Sequence, residues 1–265
     1  MDTGNTVGNQ YISYEGIETQ AIAGLNVHRL KIDSLYIKNC SYKLLFDAVF
    51  PAIPVSQRYS TINAGLAIAA YERTVLANNA PFQKWLQGEN VLTARQNYGA
   101  ELFFGKAKCY TCHNGPTLNS SGFYALGMND LTGSDIIGSV PNNTAKGRGG
   151  FTGKEEDNYK FKTPTLYNLK DVTYFGHGGS FTSIRDVIVY KNKGVAQNST
   201  VPVSQLSSEF KPLNLSESEI DALTDFIENA LYDDDLIRYV PSATPLNSCF
   251  PNADDQSKSD LGCGN

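Results

Sequence analysis

The stretch GKAKCYTCHNGP, residues 105–116, holds Cys109 and Cys112 with two residues between them and His113 directly after the second thiol. Thiolates and imidazoles bind metals, and three chemistries compete for this spacing. A structural zinc site takes four ligands, so a CxxC pair normally needs a second pair. The chain has no second CxxC and no HxxxH, and its three histidines are His28, His113 and His177. A redox-active CxxC is expected between a strand and a helix of alternating β and α units. Here a helical pattern precedes the motif and an irregular stretch follows it. The remaining reading is C-x-x-C-H, the attachment site of a c-type haem. Cys109 and Cys112 would hold the porphyrin through thioethers, and His113 would serve as the proximal iron ligand.

Such a site needs one helix before the motif and a later helix that crosses it. The segment TARQNYGAELFFG predicts the first, with Tyr98, Leu102 and Phe103 on one side and Gly105 as its C-cap. SESEIDALTDFIENALYD predicts the second. Ser216 and Glu219 form a capping box there, and Ile220, Leu223, Phe226, Ile227 and Ala230 supply the buried stripe. Gly99 allows close approach at the crossing, with Phe103 packing nearby. Further helices are expected over YKLLFDAVFPAIP, stopped by Pro51 and Pro54, over PFQKWLQGE, and over SIRDVIVYKNKG. STINAGLAIAAYERTVLANN predicts another, with a stripe of Ile62, Leu66, Ala69, Ala70 and Val75. Residues 1–42 have no readable period, and residues 119–160 read as one long irregular loop. The fold class is all-α: a c-type cytochrome domain with long irregular loops, plus a partial N-terminal helical region. Three segments are expected, 1–90, 91–240 and a tail over 241–265.

The chain has 265 residues and a net charge of −5. No basic patch stands out, which argues against nucleic acid as a partner. The longest apolar run, around residues 64–70, is far short of a membrane span. The polar start MDTGNTVGNQ lacks the features of a signal peptide, so a leader is expected to have been removed or the chain to begin inside a longer protein. Of the five cysteines, Cys249 and Cys263 bracket a polar tail that a disulfide would close, which implies an oxidising compartment. Cys40 is expected in the interior as a small apolar residue.

Taken in order, AIAAYERTVLANNAPFQKWLQGE, GAELFFGKAKCYTCHNGP and FKTPTLYNLKDVTYFGHGGSFTSIRDVIVY resemble the bacterial dihaem cytochrome c peroxidases and their MauG-like relatives. The resemblance runs from about Glu18 to Leu231. It implies two c-type haem domains, one taking electrons from a small cytochrome or cupredoxin and the other, N-terminal, reducing hydrogen peroxide to water. It also implies a periplasmic location, a calcium ion between the domains and, in many members, a homodimer.

The chain departs from that pattern. Its one CxxCH corresponds to the second haem of the family. The tryptophan between the haems has no counterpart, since Trp85 lies elsewhere. ETQAIAGLNVHRL then resembles the end of the first domain. There Gln20 matches a distal glutamine, and His28 falls near the distal acid and could move a proton. The family's sixth ligand, Met or Tyr, lies fourteen residues after the histidine of the YFxHxG segment; from His177 this register falls on Lys191. Tyr190 is the neighbouring alternative and would give a MauG-like site; Met128 is a third. Thr163 and Pro164 in FKTPTL match the stretch whose carbonyls hold calcium. His177 is expected beside the haem, near a propionate. The leading function is peroxide reduction with electrons entering through the c-type haem. The alternatives are a monohaem electron carrier and a MauG-like enzyme that oxidises a protein side chain.

Overall fold

The computed structural model describes residue 14 and residues 16–27, 32–133 and 141–236. These are helix-rich with little sheet. They fall into two compact units, one before Ala77 and one over Ala77–Asp235.

The first unit contains α1 (Ile17–Val27), α2 (Ser34–Lys38), α3 (Tyr42–Val49), α4 (Val55–Arg58) and α5 (Thr61–Glu72). α3 ends just before Pro51, as the proline requires. α1 and α2 fall in the stretch that has no readable period. The buried face of α5 also differs from the expected stripe: Asn63, Ala64, Gly65 and Ala69 are buried, whereas Ala70 is exposed. The cause is α1, which packs against this face. A Cβ at Gly65 would lie 2.5 Å from Ile22 Cγ1 and 2.9 Å from Ile22 Cα. Small residues there admit the neighbouring backbone, and Asn63 is satisfied by donating to the Arg58 carbonyl at 2.8 Å. Cys40 is half-buried rather than interior, because it follows a five-residue helix at the edge of the unit; its thiol donates to the Ile37 carbonyl.

The second unit contains α6 (Pro81–Leu86), α7 (Ala94–Phe104), β1 (Phe123–Tyr124), α8 (Asn142–Ala145), α9 (Arg148–Thr152), β2 (Phe161–Lys162), α10 (Ile184–Lys193) and α11 (Glu217–Asp225). α11 runs on into a single π-helical turn, Phe226–Ala230. Thr93 with Gln96 caps α7, and Ser216 with Glu219 caps α11, each a reciprocal pair. The two helices meet at Gly99, where a Cβ would lie 2.2 Å from the Ala222 oxygen and 2.6 Å from Phe226 Cβ. Around that crossing Phe103, Phe226, Leu223 and Ile220 form the most deeply buried part of the core. Tyr98, expected on the inner side of α7, is 42% exposed, because α7 turns its glycine rather than this ring toward α11. Its hydroxyl reaches Glu219, which Lys106 also holds at 2.7 Å. The expected loop over 119–160 includes the short helices α8 and α9 and the strand β1, whose Tyr124 pairs antiparallel with Phe161. Buried Asp233 ties the ends of the unit together: its carboxylate accepts from the Asn78 and Asn79 amides at 2.9 and 3.0 Å.

The Gly99 contact has a measurable consequence. Gly99→Ala forces two helices apart and is expected to destabilise the unit by about 1–3 kcal/mol, read as a lower denaturant midpoint. Gly133→Ala, with nothing within 4 Å of the added carbon, should leave the midpoint where it is.

Candidate haem site

α7 hands the chain to the cysteine motif through Gly105. Lys108 adopts a left-handed conformation (φ 51°) and starts the 3₁₀ turn Cys109–Thr111. The His113 amide donates to the Cys109 carbonyl at 2.9 Å, and the Thr111 hydroxyl to the Lys108 carbonyl at 2.8 Å. One short turn therefore carries both thiols and the imidazole. Cys109 and Cys112 are free and half-buried, and Cys109 packs at the margin of the main core. Burial pushes the Cys109 thiol up to about 11, against the pull of the nearby Lys191 charge.

His113 is buried, and its ring lies 6.5 Å from that of Phe103 on α7. Its Nδ1 is 2.7 Å from the Leu118 carbonyl oxygen. A carbonyl only accepts, so Nδ1 carries the proton and Nε2 keeps its lone pair. Burial pushes the His113 pKa down to about 4, so the ring is neutral near pH 7. The Leu118 carbonyl is aimed by an uncommon backbone, φ 50° on a bulky side chain. The Leu118 amide donates to Gly115 at 2.8 Å, and the Gly115 amide to Asn119 at 2.7 Å. A Cβ at Gly115 would sit 2.6 Å from the Asn119 oxygen, so this tight loop depends on glycine.

The third component arrives on α10. Ser183 caps its start, Gly194 (φ 60°) ends it, and Ile184 and Ile188 are buried. Asn192 locks the end of the helix by exchanging hydrogen bonds with Leu215 at 3.1 and 2.8 Å. Lys191 thereby brings its charge close to Cys109, Cys112 and His113, and burial lowers its pKa. Tyr190 looks elsewhere. Its hydroxyl donates to the Leu126 carbonyl at 2.5 Å, and its ring packs with Met128, Phe181 and Phe210. Met128 is thus buried in the Tyr190 cluster.

The other candidates are dispersed. His177 stacks on Phe161, with ring centroids 3.7 Å apart, and its Nε2 lies 3.7 Å from Asp130 Oδ1. The amide and hydroxyl of Thr163 both donate to the Gly122 carbonyl, and the Pro164 carbonyl lies against the His113 ring. Gln20 is exposed on α1. His28, Cys249 and Cys263 lie outside the described residues. Two contributors have no readable sequence signal. One is the Leu118 carbonyl, a backbone group; the other is Tyr124, whose hydroxyl pKa is raised by burial and by the neighbouring Cys112. Among the described residues no three His, Cys, Asp or Glu side chains converge as a metal-ion site.

This donor set fits a covalently held haem. It offers two free thiols on one turn and a neutral imidazole oriented by a backbone acceptor, with Cys109 packed against the main core. In the haem-free chain the buried imidazole also has a stability signature. Unfolded His113 takes up a proton near 6.5, whereas the folded ring resists until about 4. Unfolding free energy should therefore fall by up to about 3 kcal/mol as pH drops through that window. Denaturant titrations of haem-free protein check this, and His113→Gln should flatten the drop.

Comparison with known proteins points the same way. Residues 16–91 match the family model described as di-haem cytochrome c peroxidase. A cytochrome-c peroxidase of Pseudomonas sp. (strain SCT) is 31% identical over 68% of this chain and 54% of its own length. Another, from Denitromonas iodatirespirans, is 30% identical over 80% of this chain and 58% of its own. The methylamine utilization protein MauG of Methylorubrum extorquens is 31% identical over 66% of this chain and 44% of its own. The crystal structure of a MauG-like protein associated with microbial copper homeostasis shares the fold. It covers 91% of this chain and 73% of that one, with a TM-score of 0.70 at 24% identity. The chain spans about half the length of the curated relatives it matches. Helix-rich fold and CxxCH turn together define a haem-binding protein of the c-type cytochrome kind. The motif resemblance is borne out: the chain belongs to the family of di-haem cytochrome c peroxidases and MauG-like proteins.

Proposed function

We propose that this chain is the electron-entry part of a periplasmic dihaem peroxidase. In this reading residues 91–240 form an all-α c-type cytochrome domain, residues 1–90 belong to the end of the peroxidatic domain, and a disulfide closes the tail over 241–265. Cys109 and Cys112 hold haem c, His113 is the proximal ligand and Lys191 the sixth ligand. The observation that carries it is the set of contacts around His113, whose Nδ1 is committed to Leu118 while Lys191 bears on the same three residues. Haem c supplies one-electron chemistry. The chain supplies the rest. Leu118 fixes the imidazole tautomer, and the burial of His113 keeps water from the ring. Burial favours the neutral amine of Lys191, the form that binds a metal.

The overall reaction takes two electrons from a small cytochrome or cupredoxin and two protons to convert one hydrogen peroxide into two waters. Gln20 and His28 are the candidates for the distal proton transfer. Calcium, held by carbonyls at Thr163 and Pro164, belongs to the same reading, as does a homodimer. The hydrogen bond of Tyr190 to Leu126 weighs against a MauG-like tyrosine ligand. The test uses the full gene product with a reduced small c-type cytochrome. Two donors oxidised per peroxide consumed is the expected stoichiometry. A haem-bearing product that consumes no peroxide would assign it to electron carriage instead.

A further inference from the structure

Three consecutive residues near the end of α10 are held in three different ways. The Tyr190 hydroxyl donates to the Leu126 carbonyl, and its ring lies 5.2 Å from both Phe181 and Phe210. Lys191 falls in register with the buried Ile184 and Ile188 along one helical face. Asn192 turns to the segment that leads into α11. Its Nδ2 donates to the Leu215 carbonyl at 3.1 Å, and its Oδ1 accepts from the Leu215 amide at 2.8 Å. Its own carbonyl accepts from the Leu213 amide at 3.1 Å. Gly194 then brings the chain hard against the same segment: a Cβ there would lie 2.5 Å from the Pro212 nitrogen.

This pairing is chemically exacting. Leu215 is buried, and its backbone amide and carbonyl both bond to the one side chain. A carboxamide has the donor and the acceptor that this needs, whereas a carboxylate lacks the donor and an aliphatic group lacks both. The place also matters. The final carbonyls of a helix have no intrahelical partners, so its last turn is the one that outside contacts must hold. Leu215 leads directly into Ser216, the N-cap of α11, and α11 crosses α7 at Gly99. α7 in turn precedes the turn that carries Cys109, Cys112 and His113. The rotation of α10 is therefore referred, through Asn192, to the elements that carry the motif. Successive residues stand about 100° apart around a helix, so a small unwinding of this turn is enough to carry Lys191 away.

We infer that Asn192 is the positioning residue that holds Lys191, rather than its neighbour Tyr190, at the sixth position of the haem. The inference rests on the haem reading and on Lys191 as the ligand. Asn192 acts through the lysine alone: with its bonds to Leu215 lost, the amine leaves the iron more readily while the haem stays attached at Cys109 and Cys112.

The test uses the haem-bearing full gene product, its covalent haem first verified by mass. It reads the ferric spectrum and the affinity for added imidazole, which competes for the sixth position. Asn192→Leu should raise imidazole affinity at least about threefold and shift the spectrum part of the way toward that of Lys191→Ala. Asn192→Asp, nearly the same in shape but without the donor to Leu215, should act in the same direction and carries the test alone if the leucine variant fails to fold. In a Lys191→Ala background neither substitution should raise the affinity further, because no ligand remains to be positioned. Tyr190→Phe is the control for lost stability on the same helix: its denaturant midpoint should fall while imidazole affinity stays at the parent value. Asn192 variants with a lower midpoint and parental imidazole affinity would overturn the inference and leave the ligand assignment standing. So would an equal rise with and without Lys191. A Lys191→Ala protein with parental imidazole affinity would overturn both.

Discussion

Lys191→Ala in the haem-bearing protein is expected to vacate one axial position of the ferric iron. The visible spectrum should move from a six-coordinate, nitrogen-ligated form toward a high-spin one. Affinity for added imidazole should rise at least tenfold, which is about 1.4 kcal/mol of competition removed. The reason is positional. Lys191 shares a helical face with Ile184 and Ile188, both buried, and the Asn192–Leu215 pair fixes the rotation of α10. Its charge bears on Cys109, Cys112 and His113 together. Tyr190→Phe provides the contrast. It removes a hydrogen bond to Leu126 and should cost about 1 kcal/mol of stability, with the spectrum unchanged. If the tyrosine variant altered the spectrum and the lysine variant did not, the ligand assignment would reverse and a MauG-like site would follow.

The second large effect concerns the thiols. Cys109→Ala combined with Cys112→Ala is expected to abolish covalent haem attachment, so that acid–acetone extracts the pigment completely. Peroxide turnover with a protein donor should fall at least about 100-fold, beyond what losing an outer-shell partner produces. Each single variant should keep one thioether and a shifted pyridine haemochrome band. Folding of the second unit should survive in the double variant, because the core around Phe103, Phe226 and Leu223 does not depend on either sulfur. Circular dichroism separates this outcome from general misfolding.

What could be read from the sequence was whatever local chemistry decides. The Ser216–Glu219 box and the stripe from Ile220 to Ala230 specify α11 without reference to the rest of the chain, and the structure has them. Gly99 was legible as a close approach because a helix crossing with no room for a side chain leaves glycine as its mark. The face of α5 was legible only in part. Its expected stripe of Ile62, Leu66, Ala69, Ala70 and Val75 holds the buried Ala69, yet α1 packs so closely at Gly65 that the buried side shifts to Asn63–Ala64–Gly65 and Ala70 is exposed. Tyr98 was misplaced for a related reason: apolar character was weighed, and the steric demand of α11 was not.

The site divides along the same line. CxxCH spacing brought Cys109, Cys112 and His113 into one reading, and the family resemblance, counted from His177, added Lys191. The Leu118 carbonyl could not be foreseen, since a backbone oxygen has no residue signature; only Gly115, which lets the loop close, hints at it. Tyr124 was hidden because its link to Cys112 depends on the pairing of β1 with β2, two strands of two residues each.

The most direct measurement is a pyridine haemochrome assay combined with intact mass on the full gene product matured in a cytochrome c-competent host. One haem bound covalently to a peptide containing residues 109–113 is the expected result. A colourless product whose mass equals that of the bare polypeptide would contradict the account.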